Sequence, residues 1–121
     1  MNTYGSIEGM RPFAIWQGAV ARAVEGERVM VALVDLEPDL AVPEHQHESE
    51  QVGFVLRGSI TMIIEGDERR LEVGDTYVIP SNIRHSAHTH DDGATVVDVF
   101  APGRADWAAL QRLEPTRGLW P

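Results

Sequence analysis

All five histidines fall between residues 45 and 90. His45 and His47 are separated by one residue, and on a β-strand such neighbours point to the same face. Two imidazoles held a few ångströms apart can share one metal ion. A second group opens at Gly74 and runs through Pro80-Ser81-Asn82 to His85, which therefore follows a tight turn. Further on, Val96-Val97-Asp98-Val99-Phe100 is apolar on both faces except for Asp98. A carboxylate in such a strand is costly unless it is paired or used. Two readings stay open. Asp98 pairs with an arginine or caps a loop, or it carries a proton beside a metal, with Arg104 as a carboxylate clamp just past Pro102-Gly103.

These residues need elements to hold them. Turn signals recur at Glu25-Gly26-Glu27, Pro38-Asp39, Gly58-Ser59, Gly66-Asp67, Gly74-Asp75, Asp91-Asp92-Gly93 and Pro102-Gly103. Between them lie short runs rich in Val, Ile and aromatics, including 28–37, 51–57, 60–65, 69–73, 76–79 and 94–101. Strand-sized runs at this spacing predict an all-β sandwich or barrel. Past Pro102-Gly103, Trp107, Leu110 and Leu113 recur every three residues, which predicts a short C-terminal helix over 104–113 and an irregular tail to Pro121.

Composition narrows the chemistry. The chain has 121 residues, of which 43% are hydrophobic, enough for one compact domain spanning 1–121. It contains no cysteine, and all ten basic residues are arginine. Schiff-base lysines, P-loop lysines, cysteine nucleophiles, disulfides and thiolate metal sites are thereby excluded. The net charge of −9 speaks against nucleic acid and anionic membranes as partners. No basic-then-apolar leader opens the chain, and the longest apolar stretch, 29–36, is of strand length, so a cytoplasmic protein is expected.

The two histidine groups resemble the two motifs of the cupins, double-sheet jelly rolls. His45-Gln46-His47, Gln51 and Gly58 match the first motif, with Gln51 where the family usually has Glu. Gly74, Pro80, Asn82 and His85 match the second, with Asn82 in place of a Gly. Asn tolerates left-handed backbone, so the turn is expected to survive that exchange. Asp39 stands where the first motif opens on Gly, and the turn there is expected to differ slightly. The resemblance covers residues 45–89 by motif and about 11–102 by strand spacing, leaving 104–121 for the helix and tail. It implies one divalent metal (Zn, Ni, Fe, Mn or Co) held by His45, His47, Gln51 and His85. Glu50 is the competing carboxylate. Strand alternation forbids both from pointing inward, and the spacing to Gly58 favours Gln51. Three imidazoles and an amide would leave the ion its full double positive charge, which attracts a small anion and stabilises enolate charge.

A narrower set of residues is similar to the small pectin-degradation (KdgF-type) cupins: His45, His47, Gln51, His85, Asp98, Phe100 and Arg104. That resemblance implies conversion of a ring-form unsaturated uronate to its open-chain keto form. Asp98 would be the acid/base, Arg104 would contribute to catalysis and substrate binding, and Phe100 would line the substrate; Tyr77, outside that resemblance, is a further candidate for substrate binding. Glu48 and Ser49 depart from the residues frequent there, which leaves the substrate open. An iron-dependent dioxygenase, a polyketide cyclase-like cupin and a non-enzymatic small-ligand binder remain as alternatives. His88 is expected to face away from the metal and His90 to sit in a solvated turn. The tryptophans are expected to pack in cores or dimer contacts. Apolar outer faces on 29–36 and 12–16 predict a homodimer.

Overall fold

The computed structural model describes residues 3–121. Its eight strands are β1 (Phe13–Trp16), β2 (Ala19–Glu25), β3 (Met30–Leu36), β4 (Ala41–His45), β5 (Glu50–Ile64), β6 (Asp67–Leu71), β7 (Thr76–Ile79) and β8 (His85–Ala101). Every pairing is antiparallel. The long strands β5 and β8 run through both layers of the jelly roll. Their Gln51–Gly58 and Ala94–Phe100 halves pair with each other inside the layer β1-β2-β3-β8-β5-β7. Their Ile60–Ile64 and His85–Thr89 halves pair again inside the layer β4-β8-β5-β6. Phe13, Val34, Leu36, Val55, Ile60, Ile79, Val96 and Phe100 are buried between the layers.

The change of layer happens at two glycines. Both bulges in the β5–β8 ladder lie between Val55 and Ile60. Gly58 and Gly93 both have left-handed backbone there, and a Cβ on either would collide with backbone oxygen, of Gly93 and Leu36 respectively. Only glycine fits a corner so closely approached. These turn signals therefore mark bends within one strand, not reversals of chain. The Asp91-Asp92-Gly93 signal lies inside β8, and His90 is a half-buried strand residue whose Nε2 lies 2.9 Å from Thr61 Oγ1, not a residue of a solvated turn. Glu65-Gly66 does reverse the chain, as a two-residue hairpin with both residues left-handed.

The C-terminal helix is a single 3₁₀ turn, Ala105–Ala109, and not an α-helix over 104–113. A 3₁₀ turn has three residues per turn, so it accounts for the start of the three-residue spacing. From Leu110 the backbone is extended, and the Leu113 N–H donates to Pro12 O. Trp107 is nevertheless buried, edge-on to Phe13 and Phe100. The tail is also held. Buried Arg22 donates to Thr116 O and Thr116 Oγ1 and pairs with Asp35 at 3.2 Å. Among the described residues no helix is long and apolar enough to cross a membrane.

Candidate metal centre

Strand pairing brings the histidines together. His45 at the end of β4 is the cross-strand partner of His85 at the start of β8. His47 lies just past β4, and Gln51 is the second residue of β5. One ligand atom from each of His45, His47 and His85 lies within 4.8 Å of the others, so the three can hold a metal ion. In the turn that delivers His85, Asn82 has left-handed backbone, and so does Asp39 before β4.

The tautomers follow from the backbone. His45 Nδ1 lies 2.8 Å from Pro43 O, His47 Nδ1 2.8 Å from Ser49 O, and His85 Nδ1 2.9 Å from Ile83 O. A carbonyl only accepts, so each Nδ1 carries the proton and donates it, leaving each Nε2 a bare lone pair. His85 Nε2 is buried with no partner in the protein. His47 Nε2 lies 3.1 Å from Gln51 Oε1, so two acceptors face each other. Burial, first of all, lowers the His85 pKa to about 4 and also lowers that of His47. Protonation is therefore a poor remedy at neutral pH. A divalent cation satisfies all these lone pairs at once, and the donor set fits one.

The remaining residues frame a cavity of about 350 Å³. Gln51, Tyr77, Asp98, Phe100 and Arg104 line it together with His45 and His85. Glu50 is exposed on the other face of β5, whereas Gln51 is buried. Asp98 is buried, and burial raises its pKa to about 6 against the lowering effect of hydrogen bonds from Tyr77 and Gln51. The Tyr77 hydroxyl donates to it, and among the described residues no arginine forms an ion pair with it. Arg104 instead grips Asp106 with two bonds of 3.0 and 2.9 Å, and lies over Trp107 and Phe100. His88 is exposed on β8 and takes no part in the cavity lining.

Asp106, Trp16 and Trp107 are among the cavity residues that sequence reasoning did not mark. Asp106 shares the Arg104 fork, and its position two residues on was the available signal. Trp16 and Trp107 line the cavity, Trp16 with its ring 5.5 Å from that of His45. No spacing rule distinguishes such a tryptophan from one packed in a core.

The family model of the cupin domain matches residues 32–100, which includes both histidine groups and Asp98. The chain belongs to the cupin family. It is similar to the pectin degradation protein KdgF of Dickeya dadantii (strain 3937), with 36% identity over 64 residues, which is 52% of this chain and 58% of that protein. The match thus spans less than two thirds of that relative's length. Among solved structures, KdgF from Halomonas sp. superposes with a TM-score of 0.80 at 26% identity, over 88% of this chain and 98% of that one. An RmlC-like cupin from Shewanella frigidimarina NCIMB 400 superposes with a TM-score of 0.82 at 21% identity, over 88% and 96% of the two chains, and shows the shared fold.

Proposed function

We propose that this cupin is a metal-dependent enzyme that moves a proton within a small anionic enol, with an unsaturated uronate as the first candidate. The observation that carries the reading is the opening of one buried carboxyl, Asp98, onto the same cavity as His45 and His85, two of the three converging imidazoles. His45, His47, His85 and Gln51 would hold one divalent ion, of Zn, Ni, Fe, Mn or Co. Such an ion supplies polarisation of a substrate oxygen and stabilisation of developing enolate charge. Asp98 takes and returns the proton, since a carboxyl whose pKa is about 6 can be both base and acid near neutral pH. Arg104 keeps a cation at the cavity wall. Stacked on Trp107 and Phe100 and anchored by Asp106, it is pre-set to meet a substrate carboxylate with little loss of rotamer freedom.

Val34, Leu36, Ile60, Met62 and Val96 form an apolar part of the wall. Hydroxyl groups pressed against it would go unpaired. The substrate therefore turns its hydroxylated edge toward the polar side and its hydrocarbon face toward these residues. The similarity to KdgF supports the uronate. The ultraviolet absorbance of a 4,5-unsaturated uronate is expected to decay faster with the metal-loaded protein than with the metal-stripped one. Equal decay with and without protein would remove this substrate class.

The same reading makes the protein a homodimer. Val24, Val31, Val52 and Val78 are exposed, and they lie in one cross-strand row that passes through Val99. Phe54 is exposed in the next row. An apolar sheet face of this extent is suited to self-association about a two-fold axis. Equilibrium sedimentation at micromolar concentration is expected to give twice the chain mass, and Val52→Glu to halve it. A parent protein that sediments as a monomer overturns the assignment.

A further inference from the structure

Gly53 occupies the middle of a three-residue row across the sheet. It is the cross-strand partner of Tyr77 on β7 and of Asp98 on β8. With no side chain at 53, the Tyr77 hydroxyl reaches over β5 and donates to Asp98 Oδ1 at 2.5 Å. A Cβ on Gly53 would stand 2.5 Å from that carboxylate oxygen and 2.6 Å from the hydroxyl. It would occupy the path of the bond. Gly53 has no left-handed backbone to explain it. The close approach of these two side chains is what glycine serves here.

Gln51 lies two residues before Gly53 on β5 and pairs with Phe100, so it is the diagonal neighbour of Asp98 on the same sheet face. It lines the same cavity, and its side chain lowers the Asp98 pKa as a donor does. An amide has a donating end and an accepting end, whereas an ionised carboxylate only accepts. The Gln51 NH₂ must therefore face Asp98, and Oε1 must face the other way. That is where it is found, 3.1 Å from His47 Nε2. Tyr77 in turn fixes the carboxylate that selects the amide orientation. A glutamate at 51 would set a second buried carboxylate against Asp98, a mutually unfavourable pair. Glutamine at this position and Asp98 behind it therefore belong to one arrangement.

We propose that Tyr77 and Gly53 are positioning residues of the metal centre: the chain Tyr77–Asp98–Gln51 holds the amide oxygen toward the three imidazoles, and Gly53 is the gap through which the chain closes. This rests on the metal-centre reading above, but not on the choice of substrate. It assigns a role to two residues that touch none of the three imidazoles through a hydrogen bond.

The test is zinc affinity, measured on metal-stripped protein at pH 7.5 by competition with a chelating dye. Removing a partner that orients a ligand weakens binding by about 10–100-fold, and Tyr77→Phe, one bond further out, is expected near the tenfold end. Gly53→Ala is expected to weaken it at least as much. The discriminating measurement is the same Tyr77→Phe change made in an Asp98→Ala background. With the carboxylate gone the hydroxyl has nothing to fix, and the loss is expected to shrink to about twofold or less. Equal losses in both backgrounds, or no loss in the parent background, overturn the proposal. A parent protein that binds no zinc, nickel, iron, manganese or cobalt overturns the metal-centre reading and this inference with it. Tyr77→Phe keeps the ring and its packing, so it decides the matter even if Gly53→Ala fails to fold.

Discussion

His85→Ala is expected to abolish stoichiometric metal binding and the activity that depends on it, while changing the stability of the metal-free protein by only about 1 kcal/mol. Two opposing effects produce the small second number. The substitution removes the Nδ1 bond to Ile83 O and some packing. It also removes Nε2, a buried acceptor that has no partner within the protein. Leaving such a group unsatisfied costs about 1–3 kcal/mol, so its deletion offsets much of the loss. The parent should behave differently when metal is added. An ion at 100 times its Kd stabilises the folded state by about 2.7 kcal/mol, which for a chain of this size raises Tm by on the order of 10 °C. Differential scanning calorimetry with and without metal checks both parts. A variant that keeps the parent's thermal shift would place the ion elsewhere.

Asp98→Asn is expected to lower kcat by about 10²–10⁴-fold at saturating metal, the range for loss of a positioned acid/base. Asparagine keeps the shape of the side chain but cannot shuttle a proton, so KM should change far less. Saturating metal is essential, because the same residue orients Gln51. An unchanged kcat would exclude Asp98 as the proton carrier. The variant should also alter the pH dependence of metal-free stability. In the parent, Asp98 binds a proton more tightly folded (about 6) than unfolded (3.8), so its contribution is present below pH 3.8 and is lost as pH rises through 6. His85 does the opposite: its folded pKa of about 4 lies below the unfolded 6.5, so its contribution is present above 6.5 and is lost as pH falls toward 4. His47 acts in the direction of His85. In the parent these contributions oppose one another between pH 4 and 6. Asp98→Asn leaves only the imidazoles, and urea midpoints should then rise more steeply with pH across that window. A pH profile identical to the parent's would mean that Asp98 is not taking up a proton there.

The candidate site was legible where its geometry is local. One residue separates His45 from His47, strand alternation admits only one of Gln51 and Glu50, and the spacing to Gly58 picks Gln51. Asp98 stood out because it is the one charge in an apolar run. What could not be read was reach across the sheet. Gly58-Ser59 and Asp91-Asp92-Gly93 look like turns because glycine and aspartate favour turns. They are bends in β5 and β8, where the close approach of other backbone demands glycine. The spacing of Trp107, Leu110 and Leu113 suited an α-helix as well as the 3₁₀ turn that forms, and only contact with Phe13, Phe100 and Pro12 decides between them. The partners of Asp98 and Arg104 were equally hidden. Tyr77 meets Asp98 only because strand register sets both beside Gly53, and Arg104 turns to a near neighbour, Asp106.

Strand β8 is the last to appear in the chain, yet it lies inside both layers and carries His85, Asp98 and Phe100. Its pairings with β3, β4 and β5 join residues far apart in sequence. Folds dominated by such pairings form slowly, on the millisecond-to-second scale. Until β8 docks, β3 and β5 present unpaired edges of the kind that recruit other chains. Because β8 brings His85 beside His45 and His47, the candidate metal centre is incomplete until β8 docks. Arrival of metal-binding competence, followed in a stopped-flow refolding experiment, would mark the moment at which the barrel closes.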